Sequence, residues 1–153
     1  LSTDQKGAFS AIGENHTAIP NSLGICVMLA GSDPVRFPLQ LFSDALYAAS
    51  GLRVTPEEMA QAGERIVNLE KAFNSLLGLR REHDTVCQRW LKEELAEGWG
   101  KGWKAEDYLD KALDEYYRCH GWDVKTSLPT RQKLAALGME DVARVLERHD
   151  ALA

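Results

Sequence analysis

Cysteine is scarce in this chain: Cys26, Cys87 and Cys119 are odd in number and far apart. That argues against a disulfide framework and for a reducing compartment, so the chain is expected to be cytoplasmic. No apolar run is long enough to span a bilayer, and no charged start followed by an apolar core marks a signal peptide. Basic residues are not in excess. The net charge is -5, which removes the electrostatic case for nucleic acid or an acidic membrane as partner. Strand-like alternation, internal repeats and low-complexity segments are also missing.

What is present is an ordinary globular composition, 44% hydrophobic and 27% charged over 153 residues. That length suits one domain with a moderate core. The pattern is all-α, a compact multi-helix domain. A first helix is expected to end near Asn15 and His16, before the Ile19-Pro20 break. Gly31 to Pro38 reads as a connection. Leu39 to Ser50 carries Leu39, Phe42, Leu46 and Ala49 on one face, and Gly51 closes it.

The clearest helix signal is VTPEEMAQAGERIVNLEKAFNSLLGL. Thr55 is a natural N-cap, Pro56 suits the first helical position, and Glu58 completes a capping box. Met59, Ala62, Ile66, Leu69, Phe73 and Leu76 recur three and four apart as one apolar stripe, and Gly78 stops the helix. A shorter helix is expected around Val86 to Ala96. A loop, EGWGKGW, follows, with Trp99 and Trp103 pinned on the core. Ala105 to Cys119 is another amphipathic helix, with Leu109, Ala112, Leu113 and Tyr116 inward and Gly121 as cap. Two short helices, Pro129 to Leu137 and Glu140 to His149, end the chain.

Taken residue by residue, the chemistry is sparse. His83, Cys87, Cys119 and His120 are zinc-type ligands, but there is no CxxC or HxxxH pair, and adjacent residues rarely face one ion. WGKGW lacks the preceding strand and the Lys-Ser/Thr ending of a nucleotide loop. Glu106, Asp110 and Asp114 share a helical face with Lys111 and Glu115 alongside, the look of a solvated surface. No serine or histidine stands in a nucleophile's context. By itself Cys26, next to an apolar run, reads as core filler.

Four stretches in order change that weighting. NSLGICV is similar to an Asp-x-x-Gly-Leu-Cys motif. TPEEMAQAGERIVNLEKAFN, RREHDTVCQR, and LDEYYRCHGWD followed by LPTRQKLAALGMEDVA match further segments of the same family. Together they cover nearly the whole chain. The chain resembles the C-terminal helical domain of the tungsten-containing aldehyde:ferredoxin oxidoreductase family.

The resemblance implies a single helical domain over residues 1–153, part of a longer enzyme. The N-terminal pterin domain and the middle domain would be missing; the opening Leu1-Ser2-Thr3, without methionine, is consistent with that. Such enzymes bind a tungsten bis-pterin cofactor and one 4Fe-4S cluster, oxidise aldehydes to carboxylic acids and pass electrons to ferredoxin. By the same resemblance Cys26 is a cluster ligand, the other three thiolates coming from a CxxCxxxC motif outside this chain. Asn21, Ser22, Leu23, Gly24 and Ile25 would line the pterin. Asn21 stands where the family has Asp, Ile25 where it has Leu, and Val27-Met28 where it has Lys-Phe. The remaining domains, ferredoxin and a small aldehyde are the expected partners. The isolated chain is expected to hold no cofactor and to be inactive. The competing reading is a redox-inert helical scaffold or adaptor, with Cys26 deep in a closed core.

Overall fold

The computed structural model describes residues 4–30 and 37–153, the side chains of Val27 and Leu29 excepted. Most of the expected Gly31 to Pro38 connection lies outside the described residues. The elements run α1 (Lys6–Ser22), α2 (Val27–Ala30), α3 (Leu39–Ser50), α4 (Pro56–Leu76), a 3-10 turn (Arg81–His83), α5 (Gln88–Lys92), a second 3-10 turn (Ala105–Asp107), α6 (Leu109–His120), α7 (Arg131–Ala136) and α8 (Glu140–Arg148). Among the described residues there is no strand, only an isolated bridge between Trp122 and Pro129. The fold is all-α.

The helix α4 is the spine. Its start is fixed by the capping box: Glu58 N–H donates to Thr55 Oγ1 at 3.2 Å, and Thr55 N–H donates to Glu58 Oε2 at 2.8 Å. Met59 joins an apolar cluster with Ile19, Ala30 and Phe42. Val67 joins a second with Ala18, Tyr117 and Trp122. Ala72 joins a third with Leu134, Leu137, Met139, Ala143 and Leu146 from the C-terminal helices. Packing against α1 is tight at Gly63, where an added Cβ would lie 2.3 Å from the Asn15 carbonyl oxygen. Only glycine permits that approach.

The expected stripe on α4 is only partly inward. Met59 is buried, but Leu69, Phe73 and Leu76 are exposed. The buried face carries Gly63, Val67, Asn68, Lys71, Ala72 and Ser75 instead. The reason is polar pairing. Trp122 Nε1–H donates to Asn68 Oδ1 at 2.9 Å, and Lys71 Nζ donates to Ser127 Oγ at 3.0 Å. Buried polar groups with partners cost little, so this face can go inside.

Three further expectations are corrected. The first helix does not end before Pro20 but runs on to Ser22. Pro20 forfeits one backbone bond, yet it and Ile19 are buried, and Leu23 N–H and Ile25 N–H close the turn onto Ile19 and Pro20 carbonyls. The helix expected from Val86 to Ala96 shrinks to Gln88–Lys92, none of it buried. Its far end is diverted because Leu95 exchanges backbone bonds with Trp103 and Gly102. Trp99 is not pinned on the core but 92% exposed, while Trp103 packs beside Tyr108 at 6.2 Å.

Candidate functional site

The stretch from Asn21 to Cys26 is a helix end followed by a turn. Ile25 N–H donates to the Pro20 carbonyl at 2.8 Å, and Gly24 N–H to the Asn21 carbonyl at 3.3 Å. These paired bonds form a Schellman motif that satisfies the last carbonyls of α1. Gly24 sits at φ 72° with nothing within 4 Å of where a Cβ would be, so backbone conformation and not crowding calls for glycine there.

Side chains then part company around this turn. Leu23 and Ile25 pack on the cluster of Ile19, Phe42 and Met59 and anchor the loop. Asn21, Ser22, Gly24 and Cys26 are exposed. Cys26 immediately precedes α2, its carbonyl accepting Ala30 N–H at 3.1 Å, and its thiol is free. Of the expected cofactor-lining residues, two are anchored inward by their side chains and offer a ligand mainly backbone. The others, Asn21, Ser22 and Gly24, are exposed, with the Ser22 hydroxyl donating to the Ala18 carbonyl at 2.9 Å. Met28, next in line, is 90% exposed.

Asn21 and Ser22 also stand at one end of an open cleft of about 620 Å³ between α1 and α4. Phe9, Glu14, Thr17, Ile66 and Glu70 line the rest. Its lining contains carboxylates and hydroxyls but no lysine or arginine.

Beneath the cleft lies a titratable constellation that sequence reading missed. Tyr116 OH donates to Glu14 Oε2. His120, 1% exposed, has Nε2 3.2 Å from the same oxygen, close enough for an ion pair though poorly aligned for a hydrogen bond. Its ring stacks on Trp122 with centroids 4.5 Å apart. Lys71 Nζ lies 5.0 Å from the Trp122 ring centroid and 3.5 Å from Asp84 Oδ2, which also accepts from Tyr117 OH at 2.5 Å. Burial pushes the Glu14 carboxyl up, but the nearby His120 ring and the Tyr116 hydroxyl outweigh it and hold it below the usual carboxylate range. Burial lowers the Lys71 ammonium, with Asp84 opposing. Burial, and then the bonds to Glu14 and Asp84, raise the Tyr116 and Tyr117 phenols well above their ordinary value. The signal that could have found this was Trp122: a buried indole N–H needs an acceptor, and Asn68 is a polar residue on the main helix.

The other constellations remain apart. Cys119 is exposed while His120 is buried. His83 Nδ1 accepts Arg80 N–H at 3.0 Å. Among the described residues no three His, Cys, Asp or Glu side chains gather as a metal site would need. Asp110 and Asp114 are taken up by Arg81 at 3.1 and 2.7 Å, and Glu106 by Lys104 at 2.9 Å.

Comparison with known families supplies what the geometry alone does not. The family model for aldehyde ferredoxin oxidoreductase, domains 2 and 3, matches residues 1–139. The chain belongs to the aldehyde ferredoxin oxidoreductase family. Similar proteins include the tungsten-containing aldehyde ferredoxin oxidoreductase of Pyrococcus furiosus, 33% identical over 143 residues. The enzyme of the same name from Thermococcus kodakarensis is 31% identical over 143 residues. Each alignment covers 91% of this chain but 22% of the relative. The chain therefore spans less than a quarter of the length of these aldehyde ferredoxin oxidoreductases. All three of its thiols, Cys26, Cys87 and Cys119, are exposed, and Cys26 is the one that lies in the stretch resembling the family's cysteine motif.

Proposed function

We propose that this chain is the C-terminal domain of a tungstopterin iron–sulfur oxidoreductase that oxidises aldehydes to carboxylic acids, with ferredoxin as electron acceptor. Water supplies the added oxygen, and each turnover releases two electrons and two protons. Cys26 contributes one thiolate to a 4Fe-4S cluster. Asn21, Ser22 and the backbone from Leu23 to Ile25 form part of the pterin wall. The domain works in a soluble, cytoplasmic enzyme and is inactive without the domains that bring the other ligands.

The observation that carries this reading is the exposed Cys26 thiol on a turn held from both sides. Schellman bonds fix its backbone, and Leu23 and Ile25 pin it to the core. A single exposed thiolate is compatible with supplying one ligand of a cluster whose other ligands come from elsewhere. A cluster bound there would supply one-electron transfer. Asn21 offers one acceptor oxygen and two donor hydrogens, where a carboxylate offers acceptors alone, so it would meet a pterin edge by a mixed pattern. Thr17 and Glu14 further along the cleft keep that side rich in acceptors.

The test uses the longer polypeptide encoded in frame with this chain. Cys26→Ser should lower bound iron per polypeptide severalfold, read by elemental analysis and by the visible absorption of the cluster. Cys119→Ser should leave both unchanged. Iron unaffected by Cys26→Ser, or an upstream sequence without CxxCxxxC, would favour the redox-inert scaffold instead.

A further inference from the structure

The helix α4 has apolar side chains on both faces: besides the buried Met59, Val67 and Ala72, it carries an exposed apolar row. It also buries the polar Asn68, Lys71 and Ser75, while Leu69 and Phe73, followed by Leu77 at the helix cap, show 53%, 62% and 67% exposure. Single exposed apolar residues are common. These recur with Ile66 at steps of three and four, so they form one continuous ridge along the helix. Ile66 stands where two grooves meet. On one side is the cleft that ends at Asn21 and Ser22. On the other is a groove lined by Leu69, Met139 and Val142.

We propose that this ridge is the seat of the preceding domain of a longer polypeptide, which lays an apolar segment along Ile66, Leu69, Phe73 and Leu77. The same domain directs cationic or N–H donor side chains into the cleft beside the ridge. The inference rests on reading the chain as one domain of a larger oxidoreductase. Two observations select this occupant over a second copy of the chain. The chain covers 22% of the length of its relatives, so most of such a protein lies outside it. The ridge is also continuous, through Ile66, with the cleft that Asn21 and Ser22 line, so a domain seated on the ridge would also cover those two proposed cofactor-facing residues. Charge sets the chemistry of the contact. Glu14 and Glu70 line the cleft without a lysine or arginine, so an acidic copy of the same surface would be repelled and a donor-bearing surface attracted.

The experiment compares thiol accessibility in two contexts. Phe73→Cys and, separately, Leu69→Cys are placed in the 153-residue chain and in the longer polypeptide encoded in frame with it. Each is labelled with a maleimide, and the rate at that position is read by peptide mass spectrometry against the urea-unfolded rate. Circular dichroism on the short variants checks that the fold survives; whichever variant passes decides the matter. Labelling in the longer polypeptide should be at least tenfold slower than in the short chain. Equal rates at both positions would overturn the proposal. So would slow labelling in the short chain that recovers on dilution, which would mean a second copy on the ridge. An absence of any longer in-frame polypeptide would overturn it too. If labelling is slow but Cys26→Ser leaves iron unchanged, the docking surface stands and the cofactor reading falls.

Discussion

Gly24 shows how a single residue sets the aim of the thiol. At φ 72° it closes the helix α1 and turns the chain so that Ile25 goes inward while Cys26 goes out. Gly24→Ala should cost about 1 kcal/mol in urea unfolding of the isolated chain, the strain of a side chain in left-handed backbone. Space is not at issue, since nothing lies within 4 Å of the added methyl. A loss well under that figure would mean the turn has another way to close. A glycine that closes a helix is a local signal and so legible in a sequence, although Gly24 was placed there only as a cofactor-lining residue. The inward course of Leu23 and Ile25 was not legible, because alternation across a turn follows no helical or strand period. Lys71 and Asn68 were illegible for a different reason. Their partners Ser127 and Trp122 lie 56 and 54 residues away along the chain.

At the scale of elements, helices with local signals were readable. The capping box at Thr55 and Glu58 is formed, and Gly51 ends α3 at the expected place. Elements decided by tertiary contacts were misread: α1 continues through Pro20 because burial offsets the lost bond, and α5 is cut short because the Trp103 loop captures Leu95. The apolar period on α4 was real, but period alone does not say which face meets the core when polar groups opposite find buried partners. The close crossing of α1 over α4 belongs to this scale. Gly63→Ala would force a methyl to within 2.3 Å of the Asn15 carbonyl oxygen and so push the two helices apart. Its expected cost is about 3 kcal/mol, near the upper end for overpacking, measured by denaturant midpoint. A change below 1 kcal/mol would show that the crossing yields easily.

For the whole molecule, Glu14 is a tie between distant parts of the chain, joining α1 to Tyr116 and His120 on α6. Its carboxyl titrates below its ordinary value in the folded state, although burial works the other way. A depressed carboxylate stabilises the fold fully above its unfolded pKa, and that contribution is lost as pH falls through the folded value. Glu14→Gln should therefore destabilise the chain at pH 7, and the gap from the parent should narrow towards pH 3. Urea unfolding at the two pH values reads this directly. A gap that stays constant or widens in acid would assign the tie to shape and not to charge.

The spine role of α4 has a consequence for how such a domain can be inherited. Because Met59, Val67 and Ala72 each complete a different apolar cluster, no cut between α1 and α8 leaves all three clusters whole among the described residues. Fragments ending before or after α4 would each be born half-built. Recombination between genes that cuts anywhere between α1 and α8 would therefore separate members of at least one of these clusters.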